Sequence, residues 1–482
     1  MNSLYIFGIK NTDNKKSCKV CQVVQLAGIS IIIFFVASCK KFVAVEPPKT
    51  ALISQTVFNT NATATSALLG IYSAMMQDPS FASISTTRYT GLSSDELINY
   101  SVDPAQTEIY ENSLSAVNTN IKNYWGDAYK YIYAANSLIE GLSHSNSISE
   151  PVKKQLIGEA KFIRAFCHFY LVNLFGDIPL ITTTNYNVNS VTARTHKTQV
   201  YQEILNDLIE AKELLPDFYV KSDNSVTTER TRPNKWSVTA LLARVYLYVQ
   251  NWSDAETLAT LIINNTAQYN LEPDLNNVFL KNSKEAIWQL QPVRTDMNTW
   301  EGNSFILTAP PSGIFALSLS SQLQSGFEPG DHRRTKWIDS FSTANQTYYY
   351  PFKYKAKSGM ALNEYYIVFR LAEQYLIRAE ARLNQNNITG AISDLNIIRA
   401  RAGLPGLHDT LSLTECRYHV EQERRIELFA EWGHRWMDLK RTERADAILS
   451  VIKTGWQPTD VLYPIPEYDI LNNPNLSQNP GY

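Results

Sequence analysis

The feature that most limits the fold is a pair of matching segments. Leu241 to Ile263 (LLARVYLYVQNWSDAETLATLII) aligns without a gap on Ile377 to Arg399 (IRAEARLNQNNITGAISDLNIIR), 136 positions later. The alignment sets Ala243 on Ala379, Leu247 on Leu383, Asn251 on Asn387 and Ala255 on Ala391. Small residues recur where two helices approach closely. Each copy therefore predicts a helix, a two- or three-residue turn and a second helix, which is a tetratricopeptide-like hairpin. The stretch around Ala165 and Asn173 repeats the first half of the pattern 78 positions earlier than the first copy. The copies are not tandem, so scattered hairpins are expected rather than a regular solenoid.

Apolar residues at spacings of three and four predict further helices over 123–142, 150–175, 201–215, 236–249, 253–264, 371–385, 389–401 and 415–441. Glu150-Pro151 opens the second of these, with Pro at an early turn where its missing N–H costs nothing, and Gly176-Asp177-Ile178-Pro179 ends it. Few strand pairs are readable between them, and the expected class is all-α. The helical pattern fails between about 271 and 363, where Ala309-Pro310-Pro311-Ser312-Gly313 and Glu328-Pro329-Gly330 alternate with Trp300, Trp337 and Tyr348-Tyr349-Tyr350. Some ninety irregular residues inside a domain usually serve a function. A weaker irregular stretch covers 81–110. Loops over a rigid helical scaffold are expected to form a ligand-binding face. The chain thus divides into an N-terminal helical part (61–270), an irregular insertion (271–363) and a C-terminal helical part (364–482).

The amino end carries its own instruction. From Val23 to Ser38 the chain reads VVQLAGISIIIFFVAS without a charge, and Lys10, Lys15, Lys16 and Lys19 precede it. A basic segment before a short apolar run predicts a secretory signal peptide over 1–38 rather than a membrane span. Val36-Ala37-Ser38-Cys39 resembles the lipobox of bacterial lipoproteins, which makes Cys39 the expected lipidation site and first mature residue. Residues 39–60, with Pro47-Pro48, read as a lipidated tether. Cys18 and Cys21 leave with the leader, while Cys167 and Cys416 lie in helical stretches without partner spacing and read as small buried hydrophobes. Two or more acyl chains would hold the protein stably at a membrane.

Charge and motifs exclude several functions. With 44 Lys and Arg against 46 Asp and Glu, the net charge of -2 offers no surplus to neutralise a nucleic-acid backbone. The common hydrolase, zinc, nucleotide and dinucleotide motifs are missing, so neither catalysis nor a cofactor is implied. Glu431 and His434 form one half of a di-iron pattern, and no second half exists. The segment VEQERRIELFAEWGHRWMDLKR reads as a helix with a buried stripe of Ile426, Phe429, Gly433 and Trp436. On that helix Glu421/Arg425 and Glu431/Arg435 are spaced for ion pairs.

Several stretches together resemble one family. FRLAEQYLIRAEARL (Phe369 to Leu383), DLNIIRARAGL (Asp394 to Leu404), ERRIELFAEWGHRWMDLKRT (Glu423 to Thr442) and LYPIPEYDILNNPNLSQNPGY (Leu462 to Tyr482) are similar to the SusD/RagB family of Bacteroidetes outer-membrane lipoproteins. CKKFVAVEPP, NYWGDAYKYIYAAN and AKFIRAFCHFYLVNLFGDIPL agree with it. The resemblance implies a tetratricopeptide-like scaffold, a lipid anchor at the cell surface and no catalysis. It also implies a lid-like association with a SusC-like TonB-dependent transporter that imports glycans or, in some members, peptides. In the family's starch-binding member, ligand contacts come from an early loop and the irregular middle region. The positions falling there are Arg88, Tyr89, Asp95, Asn99 and Tyr100, and then Trp300. Aromatic faces that stack on sugar C–H groups, beside Arg, Asp and Asn for the hydroxyls, are a suitable mixture. The alternative from a different class is a helical-repeat scaffold that holds an outer-membrane assembly and binds no small ligand.

Overall fold

The computed structural model describes residues 54–77 and 79–482. The leader, Cys18, Cys21, Cys39 and the Pro47-Pro48 pair lie outside the described residues. The principal helices are α1 (Asn61–Gln77), α2 (Thr86–Ser93), α3 (Pro104–Glu111), α4 (Thr119–His144), α5 (Glu150–Phe175) and α6 (Lys197–Leu214). They continue as α7 (Lys235–Tyr248), α8 (Trp252–Asn264), α9 (Leu371–Asn384), α10 (Ile388–Arg401), α11 (Leu413–Glu427) and α12 (His434–Arg441). No helix among the described residues is long and apolar enough to cross a membrane.

Sequence punctuation sets these bounds. α5 starts at Glu150-Pro151 and stops at Gly176, whose φ of 73° few other residues would adopt. It is buried on nearly every side from Leu156 to Phe175 and packs between α4 and α6. The matching segments are two hairpins, α7–α8 and α9–α10, joined side by side through α8 and α9. Their turns repeat in detail. Gln250 and Asn386 take left-handed backbone with φ of 60° and 62°, and the next residues, Asn251 and Asn387, cap the following helix by accepting from the N–H groups of Asp254 and Gly390. Ala243, Ala379, Ala255 and Ala391 are fully buried where the helices touch. Cys167 and Cys416 are buried in the core, and burial pushes both thiols up.

Residues 271–363 contain short paired strands, which period reading alone does not reveal. β1 (Leu97–Asn99) pairs antiparallel with β3 (Leu317–Leu319), β2 (Ala286–Leu290) with β6 (Tyr366–Arg370) and β4 (Ile338–Ser342) with β5 (Thr347–Pro351). Trp288 of β2 fastens this layer to the helices, with its ring 4.9 Å from Phe162 and 5.6 Å from Phe166 of α5. Tyr366 stacks on Trp432 at 4.9 Å. Much of the aromatic content is therefore core.

Two expectations are corrected. The stretch 81–110 is largely helical, with a π-turn over Phe81–Ser85 leading into α2, followed after β1 by α3. The segment 415–441 is not one helix: it breaks over 428–433, where Ala430, Trp432 and Gly433 take φ of 50°, 46° and 75°. A Cβ on Gly433 would come within 2.6 Å of the Thr90 hydroxyl, so close approach of α2 requires glycine there.

The break redirects the charges. Glu431 lies within the break and Arg435 beyond it, and the two do not pair. Glu431 meets Arg370 at 2.8 Å and also Lys353, while Arg435 and Arg425 both reach Asp95 at 2.7 Å, and Glu421 pairs with Arg444 at 2.5 Å. Arg370 also binds Glu285 at 2.9 Å and Glu427 at 2.6 Å, and Arg333 binds Asp331, Glu423 and Glu427 at 2.5 to 3.0 Å. Arg401 closes the lattice on Glu285 and Glu427. All of these except Glu421, Arg425 and Arg444 are nine-tenths or more buried in their side chains. Burial pushes the Glu427 carboxyl up, but the guanidiniums of Arg401, Arg370 and Arg333 outweigh it and hold the group well below its usual range.

Candidate functional site

Arg88 and Trp300, two of the expected binding residues, meet at Phe315. From α2, the Arg88 guanidinium lies over the rings of Tyr89 (4.7 Å) and Phe315 (5.1 Å) and donates to the Tyr89 hydroxyl at 2.8 Å. The Trp300 ring is 6.5 Å from Phe315, and its indole N–H donates to the Met76 carbonyl at 3.1 Å. On the other side, the Tyr100 N–H donates to the Ala316 carbonyl at 2.8 Å, and its hydroxyl accepts from Ser318 at 3.2 Å. The β1–β3 ladder brings Asn99 opposite Leu317, and β5 sets Tyr348 edge-on to Tyr100 at 5.5 Å.

Burial separates these residues into two kinds. Arg88 and Tyr89 are buried within a helix rather than displayed on a loop. Trp300 is 9% exposed and opens the short helix Trp300–Phe305, which corrects its expected place in a loop. Asn99 and Tyr100 are half-exposed, as are Phe315 and Tyr348, and these four form the face that solvent reaches. Asn99 is held in place by accepting from the Ser101 N–H (2.9 Å) and the Gln106 amide (2.8 Å). Phe315 and Tyr348 were not among the expected contacts. Neither lies beside the other residues in sequence, and only the strand pairing brings them together.

Asp95 points away from this face. Its carboxylate accepts from Arg425 at 2.7 Å and from Arg435 at 2.7 and 2.9 Å, so it clamps the entry to β1 onto α11 and α12. Burial pushes Asp95 up, yet Arg435 and Arg425 hold it below its usual range. Its neighbour Glu96 has no such pair: burial, then the charge of Asp95, raise it to about 7. Glu301, behind Trp300, is raised well above its usual range by burial. Burial also holds His434 well below its usual range, and Glu431 is engaged by Arg370 and Lys353. Among the described residues no cluster of three or more His, Cys, Asp or Glu is placed to hold a metal ion. Solvent therefore meets aromatic edges, a fixed carboxamide and hydroxyls, which can stack on and hydrogen-bond a polyhydroxylated ligand.

The chain is similar to known proteins in sequence and in fold. Residues 182–482 match the family described as "SusD family", and residues 41–247 match one described as "Starch-binding associating with outer membrane". The chain is 28% identical over 497 residues to SusD-like protein P2 of Formosa agariphila, covering 91% of this chain and 96% of that one. A SusD superfamily protein from Bacteroides vulgatus superposes with a TM-score of 0.77 at 20% identity, over 88% of this chain and 99% of that chain. A laminarin-binding SusD-like protein superposes with a TM-score of 0.71 at 25% identity, over 87% of this chain and 99% of that chain.

Proposed function

Because the chain belongs to the SusD family, a carbohydrate-binding family associated with the outer membrane, we propose that it is a surface lipoprotein that captures an oligosaccharide and delivers it to a SusC-like TonB-dependent transporter. Two observations carry the reading: the family match spans the whole C-terminal part, and a laminarin-binding relative shares the fold at 25% identity. The half-exposed face of Asn99, Tyr100, Phe315 and Tyr348 is the proposed point of capture, with Arg88, Tyr89 and Trp300 supporting it from beneath and Asp95 fixing its edge. Binding there needs no chemical change to the ligand. Cys39 is the proposed lipid attachment site, and the acylated chain faces the cell surface.

The test has two arms. Mass spectrometry of the membrane form should find an acylated Cys39 as the first residue, and Cys39→Ala should release the protein from the membrane fraction. Gentle solubilisation of outer membranes should recover a large β-barrel transporter with the protein, through a wide and mostly polar interface. Recovery of the protein alone, or an unmodified peptide spanning Ser38 to Lys40, would contradict the reading.

A further inference from the structure

The outer side of α4 carries a second line of aromatics that starts in the core and ends at solvent. Trp125, Tyr129 and Tyr133 follow one another at intervals of four, and Ser137 and Gly141 continue the line. At a rise of about 1.5 Å per residue, the stripe steps about 6 Å per side chain and runs about 24 Å. Trp125 is buried at its base with its ring 4.8 Å from Tyr129, and Tyr133 is 54% exposed.

Two clefts lie end to end along this stripe and share Tyr133 as a wall. One, of about 320 Å³, is closed by Pro179, Ile181, the short helix Tyr186–Asn189 and the helix Glu467–Asn472. The other, of about 720 Å³, runs past Ser137, Glu140 and His144 to Ser147, opposite Phe58 and Asn59. Both volumes suit a ligand site.

The lining chemistry selects the ligand. Neither cleft is lined by lysine or arginine. Glu140 is engaged by the hydroxyls of Thr183 and Thr184 and the Thr184 N–H, and Asp469 lies against Trp125. An anionic ligand would thus find no counter-charge in the lining. Among the described residues the hydroxyls of Tyr133, Tyr186 and Ser190 make no hydrogen bond, and Tyr186 is 78% exposed. The exposed rings of Tyr133 and Tyr186 on the walls of one cleft, bordered by hydroxyls and carboxamides, match neutral pyranose rings.

We propose that the α4 groove is a second binding surface for a neutral oligosaccharide, one that a long glycan occupies several rings at a time. It shares no lining residue with the Asn99–Tyr100 face, and it rests on the reading of the protein as a glycan-capturing one.

The test uses the full-length lipoprotein in a detergent without a sugar headgroup. Malto-, cello-, laminari- and xylohexaose are titrated calorimetrically, and hydroxyl-radical footprinting is read at the peptides holding Tyr133, Tyr186 and Tyr100. A hexaose that binds should protect Tyr133 and Tyr186, and Tyr133→Ala and Tyr186→Ala should each weaken it about threefold to tenfold. Tyr418→Ala, at a 58% exposed tyrosine of α11, should leave affinity unchanged. Binding with protection confined to Tyr100 and normal affinity in the Tyr133 variant overturns the groove alone. No binding by any of the four overturns the groove and the capture reading together. If Tyr133→Ala keeps glycan affinity but loses the co-purifying barrel protein, the groove is a protein interface and the proposal falls.

Discussion

The interior beneath α11 and the outer side of α4 both carry polar side chains, and they treat them in opposite ways. Around Glu427 the charges satisfy one another: Arg333, Arg370 and Arg401 converge on its carboxylate from three separate segments. Along α4 the Tyr129 hydroxyl still donates to the Pro179 carbonyl, but Tyr133, one turn on, stands 54% exposed on the wall of an open cleft. Mutual pairing makes a rigid scaffold whose members cannot be removed singly. Unpartnered groups on that scaffold can take a ligand without disturbing it.

Breaking the paired region should have the largest effect. Glu427→Gln leaves three buried guanidiniums short of a counter-charge and should lower stability by about 3–5 kcal/mol, read from urea unfolding. A loss under about 1 kcal/mol would mean that the lattice does not bind the C-terminal part together. Trp300→Ala should come next, at about 3 kcal/mol, because it opens a cavity and frees the Met76 carbonyl. If that variant instead keeps its melting temperature and loses glycan affinity, Trp300 belongs to the open kind of surface.

Glu96 sharpens the comparison, since it is a buried carboxyl without a paired arginine. Its folded pKa of about 7 exceeds the ordinary 4.5, so the stability it contributes is full below about pH 4.5 and is lost as pH rises through 7. Glu96→Gln should therefore raise the melting temperature more at pH 8 than at pH 5, by a few kcal/mol of stability at most. An equal gain at both values would show that Glu96 does not titrate there. The smallest effect on stability is expected at the surface. Tyr100→Ala should leave unfolding within about 0.5 kcal/mol of the parent while weakening glycan binding about threefold to tenfold.

Much of the scaffold was legible in the sequence. Helices α5, α7, α8, α9 and α10 lie within two residues of their predicted bounds, and the Asn251/Asn387 match marked equivalent caps. Where reading failed, distant contacts decided the structure. The continuous apolar pattern of 415–441 hides a break imposed by the approach of Thr90, and local ion-pair spacing there lost to Asp95 and Arg370, far away in sequence. Strands of three to five residues, paired across as many as 222 positions, leave no periodic signal. The binding face depends on one such pair, so Phe315 and Tyr348 could not be found from spacing. The α4 stripe was visible in NYWGDAYKYIY, but the buried stripe of Tyr124, Ala128 and Tyr131 on the same helix accounts equally well for its aromatics.

The most direct test of an open aromatic surface on a closed scaffold is calorimetric titration of a double variant, Tyr100→Ala with Tyr133→Ala, beside the parent. The parent should bind a neutral hexaose saturably and return it intact on chromatography, and the double variant should lose that binding with an unchanged melting temperature. Undiminished binding by the double variant, or shortened oligosaccharide recovered from the parent, would contradict the account.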